Sequence, residues 1–244
     1  MLEKGERIAK VIARSGVCSR RDAEKLVLGG KVSLNGKILD NVAQNVGDDD
    51  VILVNGKPIA IKQEKRLWLY YKPVGLVTSH KDELGRKTVF ESLPSYLPRV
   101  VSIGRLDINS EGLLLLTNDG ELARYIELPK NGWKRSYQVR VYGLISPSAL
   151  DKIRGDVTIE GEKYSNVQIE LDKKPQAGKN LWLNVVLSEG KNREIRKLFE
   201  HIDCRVNRLI RVSYGQFHLA NMKPGEIKEV PRKIMLEYFG KKVL

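Results

Sequence analysis

Cysteine and histidine are scarce, with two of the first and three of the second among 244 residues. Cys18 and Cys204 are far apart and show no partner spacing, which argues against a disulfide scaffold and a structural zinc site. His80, His201 and His218 are scattered too. The one local grouping, "HIDC" at 201–204, supplies two ligands at most, so no metal is expected. No apolar run is long enough to cross a bilayer, and no Trp- and Leu-rich amphipathic helix is present to lie on one. The opening "MLEKGERIAKVIARSG" carries charge every few residues, and Glu3 and Glu6 do not suit an acid-poor transit peptide. The expectation is a soluble cytoplasmic protein with no membrane partner. Acid is in deficit as well: 43 Lys and Arg face 30 Asp and Glu, a formal charge of +13. Such a balance points to a polyanionic partner, nucleic acid first. The 41% hydrophobic content nevertheless provides for a packed core in one or two domains.

The pattern changes along the chain. In "ERIAKVIAR" (6–14), Ile8, Val11 and Ile12 share a helical face, and Ser15-Gly16 then stops the helix. Ser19 with Asp22 marks the start of a second helix whose stripe is Ala23, Leu26 and Val27, ended by Gly29-Gly30. Two Asn-Gly hairpins follow, "KVSLNGKIL" and "VILVNGKPIAI". Residues 3–37 hold nine basic side chains against four acidic ones, concentrated on these short elements. "KQEKR" (62–66) reads as a linker, giving a helix-helix-hairpin domain over 1–62 and a larger domain over 63–244. In the larger domain, strands are expected at "LWLYYKPVGLVTS", "VVSIGRL", "GLLLLT", "RSYQVRVYG" and "LWLNVVLSE". Helices are expected at "GELARYIEL", "SPSALDKIR" and "NREIRKLFEHI". The irregular mixture and the short connections favour an α+β fold with a largely antiparallel sheet.

Asp107, in "GRLDINSEGLLLLT", invites three readings. As a metal ligand it fails: Asp107, Asn109, Glu111 and Gly112 imitate the start of a calcium loop, but position twelve falls on Asn118 and the flanks read as strands. As a turn residue it is reasonable, since Asp107, Asn109 and Ser110 suit a turn before a buried strand. Two other stretches keep a catalytic reading open. In "EGKNREIRKLFEHI", Ile195, Leu198, Phe199 and Ile202 form an apolar face, leaving Arg193, Arg196 and Lys197 as a basic stripe. In "RSYQVRVYG", alternation sets Tyr137 on the inward face with Val139 and Val141.

Taken in order, these motifs have a likeness. "RIAKVIARSGVCSRRDAEKLVLGGKVSLNGKIL" resembles the S4-like RNA-binding domain, in which a helix pair and the turn after it hold RNA backbone. "KPVG", "GRLD", "GLLLLTNDGELA", "KRSYQVRV", "EGKNREIRKLF", "RLIRVSYG" and "MKPGE" together resemble the RsuA/RluB family of ribosomal RNA pseudouridine synthases over almost the whole chain. The "EGKNREIRKLFEHIDCRVNRLIRVSYG" stretch is more similar to the large-subunit type. The resemblance implies an S4-like domain followed by a pseudouridine synthase domain, with Asp107 the catalytic carboxylate, Tyr137 the active-site tyrosine and Arg196 the basic partner of the acid. Arg105 would hold the opened base stack, and Arg7, Lys10, Arg14, Arg20, Arg21, Lys31, Arg193 and Lys197 would face RNA. The wider set of Lys191, Arg208 and Arg211 would meet phosphates. Lys72 and Pro73 match a motif of largely structural role. It further implies ribosomal RNA or an assembly intermediate as partner, no cofactor and a monomer. The alternatives are a small-subunit RNA target, or a non-catalytic RNA-binding assembly factor. One carboxylate suffices for this isomerisation because the detached base is kept and reused, whereas glycoside hydrolysis needs a second to handle water.

Overall fold

The computed structural model of the chain describes residues 5–61, 63–172, 179–241 and 243–244. Glu3 and Lys4 of the charge count, and Lys62 at the expected domain boundary, lie outside the described residues.

The first unit comprises β1 (Glu6–Arg7), α1 (Ile8–Arg14), α2 (Arg20–Leu28), β2 (Val32–Leu34), β3 (Lys37–Ile38), β4 (Asn45–Val46), β5 (Ile52–Val54) and β6 (Lys57–Pro58). The first helix begins two residues later than expected, because Glu6 and Arg7 pair antiparallel with Val46 and Asn45. Gly5 lets the chain pass that close: a Cβ there would stand 2.6 Å from the Val46 carbonyl oxygen. Ser19 caps α2 as its sequence implies, its Oγ accepting the Asp22 N–H and donating to the Asp22 carboxylate. Both Asn-Gly turns have two successive residues at positive φ, Asn35 (49°) with Gly36 (81°) and Asn55 (50°) with Gly56 (75°), as type I′ hairpins require. The two hairpins also pair with each other through β2 and β5, forming one four-stranded sheet of order β3-β2-β5-β6. It packs with the two helices over a core that includes Ile8, Ile12, Val27, Val32 and Ile52.

The rest of the chain runs β7 (Leu67–Lys72), β8 (Val101–Ile103), β9 (Glu111–Thr117), α3 (Gly120–Glu127), β10 (Arg135–Tyr142), α4 (Pro147–Asp151), β11 (Gly155–Ile159), β12 (Glu162–Leu171), β13 (Asn180–Leu187), α5 (Glu194–Glu200), β14 (Arg205–Tyr214), β15 (Phe217–His218), β16 (Ile227–Glu229) and α6 (Arg232–Phe239). Its ten strands form one sheet of order β11-β12-β13-β10-β14-β9-β7-β16, with β15 beside β14 and β8 beside β9. The sheet is antiparallel except between β14 and β9, which run parallel over two pairs, Ile210↔Glu111 and Arg211↔Gly112. Gly112 makes this joint possible. Its φ of 104° suits glycine, and a Cβ would press into the Arg211 backbone.

Both faces of the central strands are covered, which is why "GLLLLT" reads as an unbroken apolar run. Leu114 and Leu116 join Tyr137, Val139 and the apolar side of α5 on one face. Leu113 and Leu115 meet α3 and α6 on the other. No helix among the described residues is long and apolar enough to cross a membrane.

Candidate active site

The segment Gly104–Ser110, which leads into β9, is held almost wholly through its backbone. Thr78 Oγ1 donates to the Leu106 carbonyl (2.8 Å) and accepts the Leu106 N–H (3.3 Å). The Ile108 carbonyl accepts the Gly75 N–H at 2.7 Å. Lys72 is fully buried, and its Nζ donates to three carbonyls: Pro73 (3.0 Å), Asp107 (3.1 Å) and Ser110 (2.9 Å). Burial pushes the Lys72 pKa down to about 8, against the opposing pull of the Asp107 and Glu111 carboxylates. The Ser110 N–H closes a turn on the Asp107 carbonyl at 3.0 Å.

Asp107 is therefore a turn residue, but only by its backbone. Its side chain is left for other work. Asp107 Oδ2 lies 3.9 Å from Arg196 Nε, too long for a hydrogen bond but within ion-pair range. Arg196 Nη1 donates to the Val206 carbonyl and Nη2 to the Asn109 carbonyl, both at 3.1 Å. Its Nε is buried with no hydrogen-bond partner. The guanidinium is thus fixed by two carbonyls while its remaining donor faces the acid. Burial and the neighbouring Arg193 lower the Arg196 pKa, with Asp107 opposing them. The Arg196 side chain is only 11% exposed and that of Asp107 is 34% exposed. Arg196, expected beside the acid although it falls on the basic stripe of its helix, has its guanidinium at the Asp107 loop rather than in solvent.

Tyr137 stands on β10 between Val185 of β13 and Arg211 of β14 and is 8% exposed. A cleft of about 410 Å³ brings Asp107, Tyr137 and Arg196 together, with Leu187, Ile195 and Leu209 as apolar lining. A second hollow of about 600 Å³ lies across the 104–108 segment, and Arg105, Lys191 and Arg193 line both. Arg105 is exposed. Arg193 sits at the start of α5 in the left-handed region, φ 52°.

The other basic residues divide into free and occupied groups. Arg20, Arg21 and Lys31 are exposed on the first unit, Arg20 lying 3.6 Å from Glu24. Arg7 donates to the Ala43 carbonyl. Lys10 and Arg14, expected to face RNA, are engaged by acids in this structure: both pair with Glu6 (2.7 and 2.5 Å), and Lys10 also reaches Glu121 of α3. Lys197 is held by Glu162 at 2.8 Å and Arg208 by Glu111 at 2.6 Å. Arg211, expected among the residues that meet phosphates, is not at the surface. It is 3% exposed and lies in the wall of the cleft. Sequence reasoning passes over Arg135 and Glu194, which also line the cleft, as does Ser110, expected only as a turn residue. Burial raises the Glu194 pKa.

Residues 66–201 match the family model described as RNA pseudouridylate synthase, and residues 6–52 match that of the S4 domain. An uncharacterized RNA pseudouridine synthase of Rickettsia bellii is 54% identical over 94% of this chain and 98% of its own length. Ribosomal large subunit pseudouridine synthase B of Buchnera aphidicola subsp. Schizaphis graminum is 40% identical over 90% of this chain and 88% of its own. A crystal structure of a pseudouridylate synthase, 23% identical, superposes with a TM-score of 0.64 over 98% of this chain and 100% of its own, a likeness of fold. With a family model spanning more than half its length and relatives this similar end to end, the chain belongs to the RNA pseudouridine synthase family and carries an RNA-binding S4 domain at its N-terminal side.

Proposed function

We propose that this chain converts a uridine of ribosomal RNA, in the large subunit, to pseudouridine, with Asp107 as the catalytic carboxylate. One observation carries the reading: the ion-pair partner of the Asp107 carboxylate among the described residues is an arginine donor with no hydrogen-bond partner, at a cleft floored by Tyr137. The volume of that cleft, about 410 Å³, falls in the range of roughly 300–1,000 Å³ usual for small-molecule sites. It has room for one extruded nucleoside. Similarity to synthases named for the ribosomal large subunit supports the choice of RNA.

The work asked of each residue follows from the reaction. Uracil leaves C1′ of its ribose, turns, and rejoins through C5, so product and substrate are isomers. The target must first leave its stack, at roughly a few kcal/mol. Contact with the Tyr137 ring returns part of that, since stacking on an aromatic contributes about 1–3 kcal/mol per base. Asp107 acts at the sugar, either by adding covalently or by assisting a glycal intermediate. Both roles need an ionised acid, which the Arg196 guanidinium favours. Arg105 and Arg193, at the mouth, meet the flanking phosphates, and the S4 domain over 1–62 contributes selection of the site.

The test is Asp107→Asn, which keeps shape and removes charge. Bound ribosomal RNA with no pseudouridine formed is the expected outcome, read by tritium release from transcripts carrying uridine tritiated at C5. Pseudouridine made at the normal rate by this variant ends the proposal. Mapping pseudouridines in ribosomal RNA from cells with and without the gene identifies the position.

A further inference from the structure

Two guanidiniums lie in the wall of the cleft without an acid. Arg135 is 7% exposed and Arg211 3%, and neither has a carboxylate within 4.0 Å among the described residues. They flank the Tyr214 ring, with guanidinium carbons 4.6 and 5.2 Å from its centroid. Arg135 is otherwise satisfied, donating to the Tyr214 hydroxyl (2.7 Å) and the Ser188 carbonyl (3.0 Å). Arg211 is not. Its Nε donates to the Leu113 carbonyl at 2.7 Å, but its Nη2 is buried with no partner. A buried donor left unmade is costly, most of all on a charged group. The Ser110 hydroxyl, in the same cleft, is likewise buried and unpartnered.

Strand register says what such a donor would meet. Arg211 is the cross-strand partner of Tyr137, so the two side chains rise from the same face of the sheet about 5 Å apart. On its other side Arg211 pairs with Gly112, five residues past Asp107. A base stacked on Tyr137, with its ribose at Asp107, turns an edge toward Arg211. Uracil carries carbonyl oxygens at both O2 and O4.

We propose that Arg211 is a further catalytic residue, whose free Nη2 donates to a carbonyl oxygen of the extruded uracil and holds the negative charge that the base carries while detached. This rests on the reaction proposed above. When N1–C1′ breaks, its electron pair stays with the base and spreads over N1, O2 and O4. When C5 attacks C1′, that pair forms the new bond, the C5 proton departs, and N1 takes up a proton. Charge on the oxygens is thus greatest between the two events, where a fixed buried donor acts most strongly. A phosphate is the poorer fit, because the arginines that can reach the backbone, Arg105 and Arg193, are at the mouth.

The experiment compares the unaltered chain with Arg211→Gln and Arg211→Lys by tritium release and by filter binding of the same ribosomal transcript. The expected result for Arg211→Gln is a fall in kcat of about 10²–10³, the usual effect of losing one oxyanion donor, with RNA affinity unchanged and partial recovery in Arg211→Lys. Because Arg211 also holds the Leu113 carbonyl, a second arm leaves the protein intact and replaces target uridines with 2-thiouridine or 4-thiouridine. Sulfur accepts weakly, so one of the two should slow the unaltered chain and add nothing to the loss in Arg211→Gln. Normal turnover in Arg211→Gln, or a loss appearing in affinity alone, overturns the proposal, as does indifference of the unaltered chain to both sulfurs. An unaltered chain that releases no tritium from any ribosomal transcript overturns the proposed reaction as well.

Discussion

Lys72→Met isolates the role of one buried charge. The ammonium donates to the carbonyls of Pro73, Asp107 and Ser110, and methionine fills much the same space with no donor. The Asp107 carbonyl keeps the Ser110 N–H, so at most two carbonyls lose their donor, at about 1–3 kcal/mol each. Removing a desolvated charge returns part of this, leaving a net loss of about 2–4 kcal/mol. For a unit of this size that is a Tm lower by roughly 5–15 °C. Turnover at 25 °C should fall further, by about a hundredfold, because a 1 Å displacement of a reacting group costs about that much. RNA affinity should stay near normal. A variant that melts and turns over like its parent refutes the role given to Lys72.

The same lysine gives a pH signature with opposite signs in two assays. With its pKa near 8 in the fold and 10.5 ordinarily, the group is an ammonium with three donors below pH 8 and an amine with two above. Activity should therefore decline as pH rises through about 8, and this limb should be missing in Lys72→Met. Global stability moves the other way. The unfolded chain binds the proton more tightly, so this group's contribution is least favourable below pH 8 and improves toward pH 10.5. A rate flat to pH 10 contradicts the assignment.

Three further outcomes are expected. Gly112→Ala puts a Cβ into the Arg211 backbone at φ 104° and should cost about 3 kcal/mol or more in chemical denaturation; a midpoint unchanged from the parent refutes the account of the parallel joint. Glu6 is held below its ordinary 4.5, its partial burial outweighed by hydrogen bonds from Lys10 and Arg14, so its stabilisation is complete above pH 4.5 and lost as pH falls through the lowered value; Glu6→Gln should show its deficit at neutral pH and none in acid. Affinity for ribosomal RNA should fall linearly on a log–log plot against salt, as counterion release requires, and a flat plot contradicts phosphate contact.

Much of this architecture is legible in the amino-acid sequence itself. Local signals serve best: Ser19 with Asp22, the two Asn-Gly turns, and the alternation that sends Tyr137 inward with Val139 and Val141. β12 and β14 are hidden because charge interrupts their apolar alternation, as in "RVNRLIRVSY", where Arg208 and Arg211 break the pattern. Arg208 is accounted for by Glu111, nearly a hundred residues away in sequence, a pairing that no local pattern announces. The same is true of Lys10 and Glu121. Their contact crosses between the two units, so a basic face taken in isolation reads as free. Arg211 reads as one more phosphate contact because burial of an arginine depends on strand order, which sequence spacing does not disclose.

Strand order also accounts for the position of the acid. β14 is antiparallel to β10 on one side and parallel to β9 on the other, and the parallel contact lasts only two residue pairs. Upstream of Glu111 the chain has left the ladder, so its carbonyls need donors from elsewhere. Lys72, Gly75 and Thr78 provide them from the neighbouring strand and the loop after it. A loop satisfied in that way makes no demand on its own side chains. Asp107 can therefore hold a turn with its carbonyl while its carboxylate faces Arg196, whose position is likewise fixed by carbonyls. The arrangement separates two requirements that usually compete, since a short acidic side chain in a turn tends to bond its own backbone. The lysine under the loop removes that competition, which is why its loss should be felt at the carboxylate before it is felt in RNA binding.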